Sequence, residues 1–420
     1  MKPASDNSQF IYDSPIHSDV EVKLRELLVK LAEDDKILGI QVCAYKDGRV
    51  VIDTAAGFLD KDDTRRVQND SLFPSFSVTK GITAGMLHWV VDNGKLKLDE
   101  NVANIWPGFG INGKDLIKVN HALNHTSGLH NAMSKAFADF STLSNWKECL
   151  NGIVTSTPET EPGQEQFYHY SSFGWLCGGI IEHASGKSFQ EVLDEAIVQP
   201  LNIEGELYIG IPPGVESRLA SLTVDMEEVK LIQLTKPNRP DLPSSFQPAE
   251  IAKGLPVFCH TFNNLEVRRA TIPASNGHFT ARALARYYAA LATGGIVPPP
   301  YPPSNKDNSS MKIYQNPKIH DAFMGIGDYK DLALPNGVFG LGFRRYVSEE
   351  GLQAFGHSGV GGSVGFCDIK NNFSIAVTVN KMSLGAVTGQ IVQFVCSELN
   401  IPVPTEFTVY SEKEPQIKLN

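Results

Sequence analysis

Apolar residues recur at three- and four-residue steps along the chain between Ser77 and about Asn93. This spacing is the period of an α-helix that buries one face. Pro74, upstream, cannot lie inside a helix, and Asn93-Gly94 offers the left-handed conformation that commonly ends one. The pattern therefore predicts a helix that begins at or near Ser77, with the apolar positions Val78, Ile82, Met86, Leu87 and Val90 on its buried side.

The two ends of the chain carry a different pattern. Residues 18–34 are amphipathic with a helical period, whereas 39–45 and 50–55 are β-rich and are separated by the hairpin signal Asp47-Gly48. Towards the other end, four further segments have the composition of strands, and a last helical pattern follows them. They are residues 339–347, 353–357, 362–368 and 373–380, and then the helix at 384–399. We therefore expect one antiparallel sheet built from both termini.

The middle of the chain is predicted to be mainly helical, so the fold class is α+β with discontinuous subdomains. We expect a single catalytic domain over residues 1–420, in which 15–75 and 335–405 form the sheet part and 76–334 is a helical insertion. Within the insertion, residues 222–275 contain several prolines and little helical periodicity. A long irregular stretch of this kind is typical of a lid or a binding loop.

Composition narrows the class of protein. The chain has 420 residues, of which 42% are hydrophobic and 20% charged, as in ordinary soluble proteins. A formal net charge of −10 argues against nucleic acid or an anionic membrane as a partner. The six cysteines are scattered singly, which is typical of reduced core residues. With neither a signal-peptide pattern nor an apolar run of membrane-spanning length, the expected location is the cytoplasm.

Ser77 and Lys80 form the first candidate for chemistry. Residues three apart lie on one helix face, so the Lys80 amine can reach the Ser77 hydroxyl. The positive end of the helix dipole also favours a serine alkoxide and disfavours a protonated lysine. A serine at a helix start is commonly only a cap, and Ser144 and Ser309 are also followed three residues later by lysine. Because neither of those two has the same helix context, Ser77 is the predicted nucleophile.

Two other patterns are weaker candidates. Ser363 lies in Gly361-Gly362-Ser363-Val364-Gly365, which matches the nucleophile elbow of α/β-hydrolases, but no histidine follows it as that fold requires. His121 and His125 have the spacing of metal ligands, but the glutamate of the zinc-protease motif is replaced by Ala122. We therefore predict neither an elbow serine nor a metal site, and expect His125 to hold a loop by hydrogen bonds.

Two further stretches can contribute to a pocket. One crowds aromatic residues, serines and a glycine ahead of an apolar helix, from Tyr168 to Trp175. The other is Gly356-His357-Ser358-Gly359-Val360-Gly361-Gly362, where glycines on a strand allow a ligand to approach the backbone closely. By itself, such a glycine run is equally compatible with a simple β-bulge.

Taken together with Ser77-x-x-Lys80, these stretches resemble the serine β-lactamase-like and penicillin-binding-protein-like superfamily. The resemblance runs from about residue 20 to 400 and is strongest to class C β-lactamase-related esterases and acyl transferases. Supporting motifs are Leu123-Asn124-His125-Thr126-Ser127-Gly128-Leu129, Pro162-Gly163, Gly340-Leu341-Gly342 and Gly356-His357-Ser358-Gly359. The resemblance implies the β-lactamase/transpeptidase-like fold.

The resemblance also implies roles for individual residues. Ser77 would be the acylated nucleophile and Lys80 its partner in proton transfer. Tyr170 takes the place of the family's tyrosine, and Tyr168 is the alternative should the register shift by two. The implied substrate-binding residues are Tyr168, Ser172, His357, Ser358 and Gly359, and the backbone N–H groups of Ser77 and Val360 would form the oxyanion hole.

The expected activity is therefore acyl transfer through an acyl-enzyme on Ser77, with no cofactor and with a small ester or acyl donor as the partner. Water as the acceptor makes the protein an esterase, and a metabolite hydroxyl or amine makes it an acyl transferase. Hydrolysis is favoured slightly, because it needs no second binding site. A non-catalytic binding or scaffold protein on the same fold is the remaining alternative. Since His357 replaces a carboxylate-binding lysine, β-lactam hydrolysis is not expected.

Overall fold

The computed structural model describes residues 10–134, 140–227, 229–230, 238–302, 305, 311–383 and 385–408. Its strands are β1 (Gly39–Lys46), β2 (Arg49–Asp60), β3 (Asp63–Arg66), β4 (Phe73–Pro74), β5 (Leu207–Ile209), β6 (Thr223–Val224), β7 (Gly277–Phe279), β8 (Arg344–Ser348), β9 (Gly351–Ser358), β10 (Val364–Asp368), β11 (Phe373–Val379) and β12 (Lys381–Met382).

The helices follow in the same way. They are α1 (Asp19–Glu33), α2 (Thr79–Asp92), α3 (Val102–Ile105), α4 (Val119–Leu123), α5 (Phe140–Ser144), α6 (Trp146–Thr155), α7 (Ser172–Ser185), α8 (Phe189–Leu193), α9 (Gln199–Leu201), α10 (Pro248–Asn263), α11 (Leu265–Arg269), α12 (Ala281–Ala292), α13 (Ile319–Met324), α14 (Ala386–Glu398) and α15 (Thr405–Thr408). A π-helical turn at Asp194–Val198 joins α8 to α9, and 3₁₀ turns lie at Glu216–Arg218, Ser244–Phe246 and Gly327–Leu332.

The main sheet joins the two ends of the chain, as the sequence predicted. Its seven strands run in the order β3-β2-β1-β11-β10-β9-β8, and every neighbouring pair is antiparallel. The two halves meet where Val42 of β1 lies opposite Val377 of β11. The predicted α+β fold is therefore confirmed.

The sheet separates two hydrophobic cores. Successive residues of β1 alternate between them, since side chains along a strand point to opposite faces: Val42 belongs to the core that contains α1 and α14, and Cys43 to the larger one. The larger core contains the apolar side chains of α2, α7 and α12, and α2 packs against α7. Helix α2, which follows Ser77, is thereby buried in the centre of the molecule.

Local sequence signals explain several of these elements. Ser18 caps α1 by accepting a hydrogen bond from the Glu21 amide, as predicted for the helix over 18–34. In the hairpin between β1 and β2, Asp47 and Gly48 have φ angles of 51° and 74°. Both lie in the left-handed region that tight hairpin turns require. Among the described residues, no helix combines the length and apolar character needed to cross a bilayer.

The predicted irregular stretch at 222–275 is wrong in part. It contains α10, a helix of 16 residues that begins at Pro248 and carries Pro256 in its interior. Proline is tolerated in the first turn of a helix but removes a backbone hydrogen bond in the helix interior. Because Pro256 lies in the interior, the sequence did not predict this helix. Residues 228 and 231–237 of this stretch lie outside the described chain. Residues 281–292 fall within the predicted helical insertion. The helix that they form, α12, nevertheless packs against β1, β10 and β11 and so lies with the sheet.

Candidate active site

Ser77 lies in a tight turn immediately before α2, which begins at Thr79. The preceding residue, Phe76, has a φ of 46°, a left-handed conformation that is uncommon for a bulky side chain. Hydrogen bonds from the Val78 amide to the Ser75 carbonyl and from the Lys80 amide to the Ser77 carbonyl hold the turn. Strain of this kind is found at functional sites when the surrounding structure enforces it. Ser77 is 8% exposed and lines a cavity.

Lys80 is fully buried, and three oxygen atoms surround its amine. Its Nζ lies 3.1 Å from Ser77 Oγ, 2.8 Å from the Tyr170 carbonyl oxygen and 3.0 Å from the Ala274 carbonyl oxygen. Burial lowers the pKa of Lys80 well below its ordinary value. A neutral amine has two N–H donors and one lone pair. If the amine is neutral and the two carbonyls accept both of its N–H groups, its lone pair is directed at the Ser77 hydroxyl.

The tyrosine at this site is Tyr168, and the prediction of Tyr170 is corrected. Tyr168 lines the cavity, its ring centroid is 5.0 Å from Lys80 Nζ, and its hydroxyl interacts with Ser77. Burial raises the pKa of Tyr168, and the hydrogen bond to Ser77 offsets part of the rise. The phenol therefore remains protonated near neutral pH.

The Tyr170 side chain has a different environment. Its ring stacks on Phe246 with centroids 4.5 Å apart and planes nearly parallel, and Tyr170 does not line the cavity. Burial raises its pKa, while hydrogen bonding to Ser245 and Ser134 lowers it. Tyr170 contacts Lys80 through its backbone carbonyl. Residues two apart in this loop thus serve the site in different ways, one through its side chain and one through its main chain.

Ser172 is not part of the cavity, so its predicted role in substrate binding is also corrected. It is the first residue of α7, it is fully buried, and its Oγ donates a hydrogen bond of 2.7 Å to the Leu129 carbonyl. The hydroxyl thereby ties the start of α7 to the segment after α4.

The end of β9 and the residues that follow it form one wall of the cavity. This is the glycine-rich stretch that the sequence indicated as a possible part of a pocket. His357, Ser358, Gly359 and Val360 all line the cavity. Gly359 approaches the strand that leads to Ser77 so closely that a Cβ there would lie 2.4 Å from the Ser75 carbonyl oxygen. His357 is buried, and burial lowers its pKa to about 3. The imidazole is therefore neutral near neutral pH.

The backbone amides of Ser77 and Val360, the predicted oxyanion donors, belong to two segments on the border of this cavity. Within the described chain, neither of these N–H groups donates a hydrogen bond to an oxygen atom of another residue. Two amides in such positions are available for an oxygen atom that develops negative charge.

The rest of the cavity, which has a volume of about 180 Å³, combines apolar side chains with two ion pairs and with Ser363, Ser383 and Thr388. Arg239 forms a two-point ion pair with Asp241, and Arg344 Nε lies 2.6 Å from Glu406 Oε2. No local motif marked these four residues, because they come from the proline-rich loop, β8 and α15. The apolar lining comprises Leu242, Phe246, Ile251, Phe339 and Phe407.

Comparison with known proteins shows the family to which the chain belongs. The Beta-lactamase family model matches residues 24–390 of the chain. The chain belongs to the beta-lactamase family. Over 355 residues it is 28% identical to the esterase/beta-lactamase LipL of Mycobacterium tuberculosis, covering 82% of this chain and 77% of that protein.

Solved structures show the same fold. A family VIII carboxylesterase superimposes with a TM-score of 0.74 and 24% identity, covering 92% of this chain and 99% of the other. A penicillin-binding protein homologue from Caulobacter crescentus has a TM-score of 0.70 and 30% identity, covering 89% of this chain and 94% of the other. At the level of reaction class, this member of the beta-lactamase family is a β-lactamase-like serine hydrolase.

The weaker sequence candidates have structural positions in this beta-lactamase family protein. Ser363 is buried at the start of β10, where its Oγ accepts a hydrogen bond from the Val379 amide. His121 Nδ1 accepts from the Lys118 amide at 3.2 Å, and burial lowers the pKa of His121 to about 4. Ser144 lies on the surface within 3.4 Å of Glu266, and Ser309 lies outside the described residues.

Proposed function

We propose that the protein is a serine esterase that hydrolyses small, uncharged esters through an acyl-enzyme on Ser77. The observation that carries the proposal is the environment of Lys80. Its amine is buried and lies 2.8 Å from the Tyr170 carbonyl oxygen, 3.0 Å from the Ala274 carbonyl oxygen and 3.1 Å from Ser77 Oγ. With both carbonyls accepting its N–H groups, the lone pair of a neutral amine is directed at Ser77. A lysine that is neutral near pH 7 is a competent general base, whereas a free lysine of pKa near 10.4 is not.

The acylation step follows from this arrangement. Lys80 takes the proton of the Ser77 hydroxyl as Oγ forms a bond to the ester carbonyl carbon. The carbonyl oxygen becomes an oxyanion, which the amides of Ser77 and Val360 stabilise, by roughly 3 kcal/mol for each donor. When the intermediate collapses, the bond to the alcohol oxygen breaks. Tyr168, protonated and close to Ser77, donates its proton to the leaving alkoxide and regains one from the Lys80 ammonium.

Deacylation repeats these transfers with water in place of the serine. Lys80, through Tyr168, accepts a proton from the water as its oxygen attacks the acyl carbon. The bond to Ser77 Oγ then breaks, and Ser77 recovers its proton as the carboxylic acid leaves. Each step returns the proton to where it started, so the cycle needs no cofactor.

The preference for uncharged esters rests on the charges of the cavity. Both arginines that line it are paired with carboxylates, Arg239 with Asp241 and Arg344 with Glu406. His357, at the place of the lysine that pairs with the substrate carboxylate in antibiotic-processing relatives, is neutral because burial lowers its pKa to about 3. The described part of the lining thus offers apolar surface and neutral hydrogen-bonding groups but no uncompensated cation for a β-lactam carboxylate.

The test compares two substrates on the same protein. We expect ready turnover of p-nitrophenyl butyrate and a much smaller kcat/KM for the cephalosporin nitrocefin. A larger kcat/KM for nitrocefin would contradict the preference for uncharged esters. Absence of turnover with both substrates, and with p-nitrophenyl acetate, would contradict the esterase itself.

A further inference from the structure

His125 is buried beside the proposed site but does not line the cavity. Its φ of 62° places the backbone in the left-handed region, where histidine and asparagine occur more often than most residues. The segment around it, from Asn124 to Gly128, lies alongside residues 163–169, which carry Tyr168.

Hydrogen bonds from both neighbours of Tyr168 end on His125. The Phe167 amide donates to the His125 carbonyl at 3.1 Å, and the His169 amide donates to His125 Nδ1 at 3.1 Å. Because Nδ1 is the acceptor, the neutral ring carries its proton on Nε2. The imidazole also packs against the tyrosine ring, with the His125 and Tyr168 ring centroids 5.0 Å apart and the ring planes at 55°.

Further hydrogen bonds join the same two segments. The Gly163 amide donates to the Thr126 carbonyl at 2.8 Å, and the Ser127 hydroxyl lies 2.7 Å from His169 Nε2. These bonds would hold the loop without His125. Among the residues that the structure describes, however, only His125 accepts from the amides on both sides of Tyr168 while its ring also contacts the tyrosine.

Since the structure gives Tyr168 this support, we propose that His125 is a positioning residue, which holds the Tyr168 hydroxyl at Ser77 through the His169 amide. The inference rests on the proposed function. A loop residue has no helical period to fix its direction, and a displacement of about 1 Å at a reacting group can lower a rate a hundredfold. The role of His125 is therefore to supply a hydrogen-bond acceptor at Nδ1 and a packing surface, with no proton transfer of its own.

The test is a double-mutant cycle with matched variants. Leucine and asparagine have nearly the same shape, but only asparagine keeps an acceptor near the position of Nδ1 and tolerates the left-handed backbone. We expect His125→Leu to lower kcat/KM for p-nitrophenyl butyrate at least about tenfold, mainly in kcat, and His125→Asn to retain most of the activity. In a Tyr168→Phe background, His125→Leu should change the rate by less than about twofold.

Equal losses from His125→Leu in both backgrounds would overturn the inference, because a general structural defect acts whether or not the tyrosine hydroxyl is present. A loss from His125→Asn as large as that from His125→Leu would also overturn it. If the unsubstituted protein hydrolyses no ester, the proposed function fails instead. The same cycle is then measured as the rate of Ser77 labelling by a fluorophosphonate, which needs an activated serine but no turnover.

Discussion

Two short segments form the proposed site, and they differ in how strictly the chain fixes their geometry. At the start of α2, Ser77 and Lys80 are one helical turn apart, and their side chains meet at 3.1 Å. In the loop before α7, Tyr168 and Tyr170 are two residues apart, yet one side chain reaches Ser77 and the other stacks on Phe246.

The difference shows what a residue spacing can determine. In a helix, residues three apart lie on a common face, so a motif with that spacing already predicts that the two side chains are close together. In a loop, the spacing predicts no such proximity, and contacts with other segments must fix the direction of a side chain. The Tyr168 amide donates a hydrogen bond to the Asp241 carbonyl at 3.0 Å, and the His125 ring packs against the Tyr168 ring. These contacts hold Tyr168 in place. Substitutions in the two segments therefore test whether the site depends on both the helix spacing and the loop contacts.

The largest effect is expected from Ser77→Ala. Without the hydroxyl no acyl-enzyme forms, so kcat/KM should fall by at least about 10⁴-fold while thermal unfolding is little changed. A fluorophosphonate adduct, mapped by peptide mass spectrometry, should disappear in this variant and persist in the surface control Ser144→Ala. An adduct found on Ser363, Ser144 or Ser309 of the unsubstituted protein would show that the nucleophile is misassigned.

Removal of the base should rank next. Lys80→Met keeps a chain of similar length and apolar character but has no amine, so we expect kcat/KM to fall by about 10³- to 10⁴-fold. Because the lysine is buried and has lost water, the methionine variant should unfold at a temperature no lower than that of the unsubstituted protein. Activity within about tenfold of the unsubstituted protein would mean that another group takes the serine proton.

A pH profile tests the same lysine without a substitution. The pKa of Lys80 is lowered by burial, and the neutral amine is the active form, so kcat/KM should rise with pH and fall as pH drops below that pKa. His357, with a pKa of about 3, stays neutral over the measured range and adds no second limb. The midpoint of the rising limb should thus be the same in His357→Gln. A midpoint that disappears in this variant would assign the titration to His357.

The smallest effect is expected at Ser172, which lies outside the cavity. Ser172→Ala removes the hydrogen bond to the Leu129 carbonyl, so the free energy of unfolding should fall by about 1 kcal/mol. The kcat/KM of the folded protein should stay within about twofold, since the hydroxyl does not touch the cavity. A rise in KM without a loss of stability would return Ser172 to the substrate site.

Much of the fold could be predicted from the sequence, because periods of two and 3.6 residues directly express which face of a strand or helix is buried. Helices α1, α2 and α12 and the strands at both ends of the chain follow that rule. Helix α10 was missed because Pro256 lies inside it.

Within the proposed site, Ser77, Lys80 and the wall from His357 to Val360 carry local motifs in the sequence, and the structure places them around one cavity. The groups that surround the Lys80 amine carry no such motif. They are main-chain carbonyls of Tyr170 and Ala274, which any residue type provides and which lie 90 and 194 positions away along the chain. The choice between Tyr168 and Tyr170 could not be made from the sequence either. The two residues lie in a loop, where no helical or strand period shows which side chain points into the cavity.

The most direct test of the site compares two single-atom deletions, Tyr168→Phe and Tyr170→Phe, by kcat/KM for p-nitrophenyl butyrate. Each removes one hydroxyl oxygen and leaves the ring. We predict a loss of about 10²- to 10³-fold for Tyr168→Phe and a change of less than about threefold for Tyr170→Phe. The reverse result, a nearly unaffected Tyr168→Phe beside an inactive Tyr170→Phe, would contradict the assignment of Tyr168 to proton transfer at Ser77.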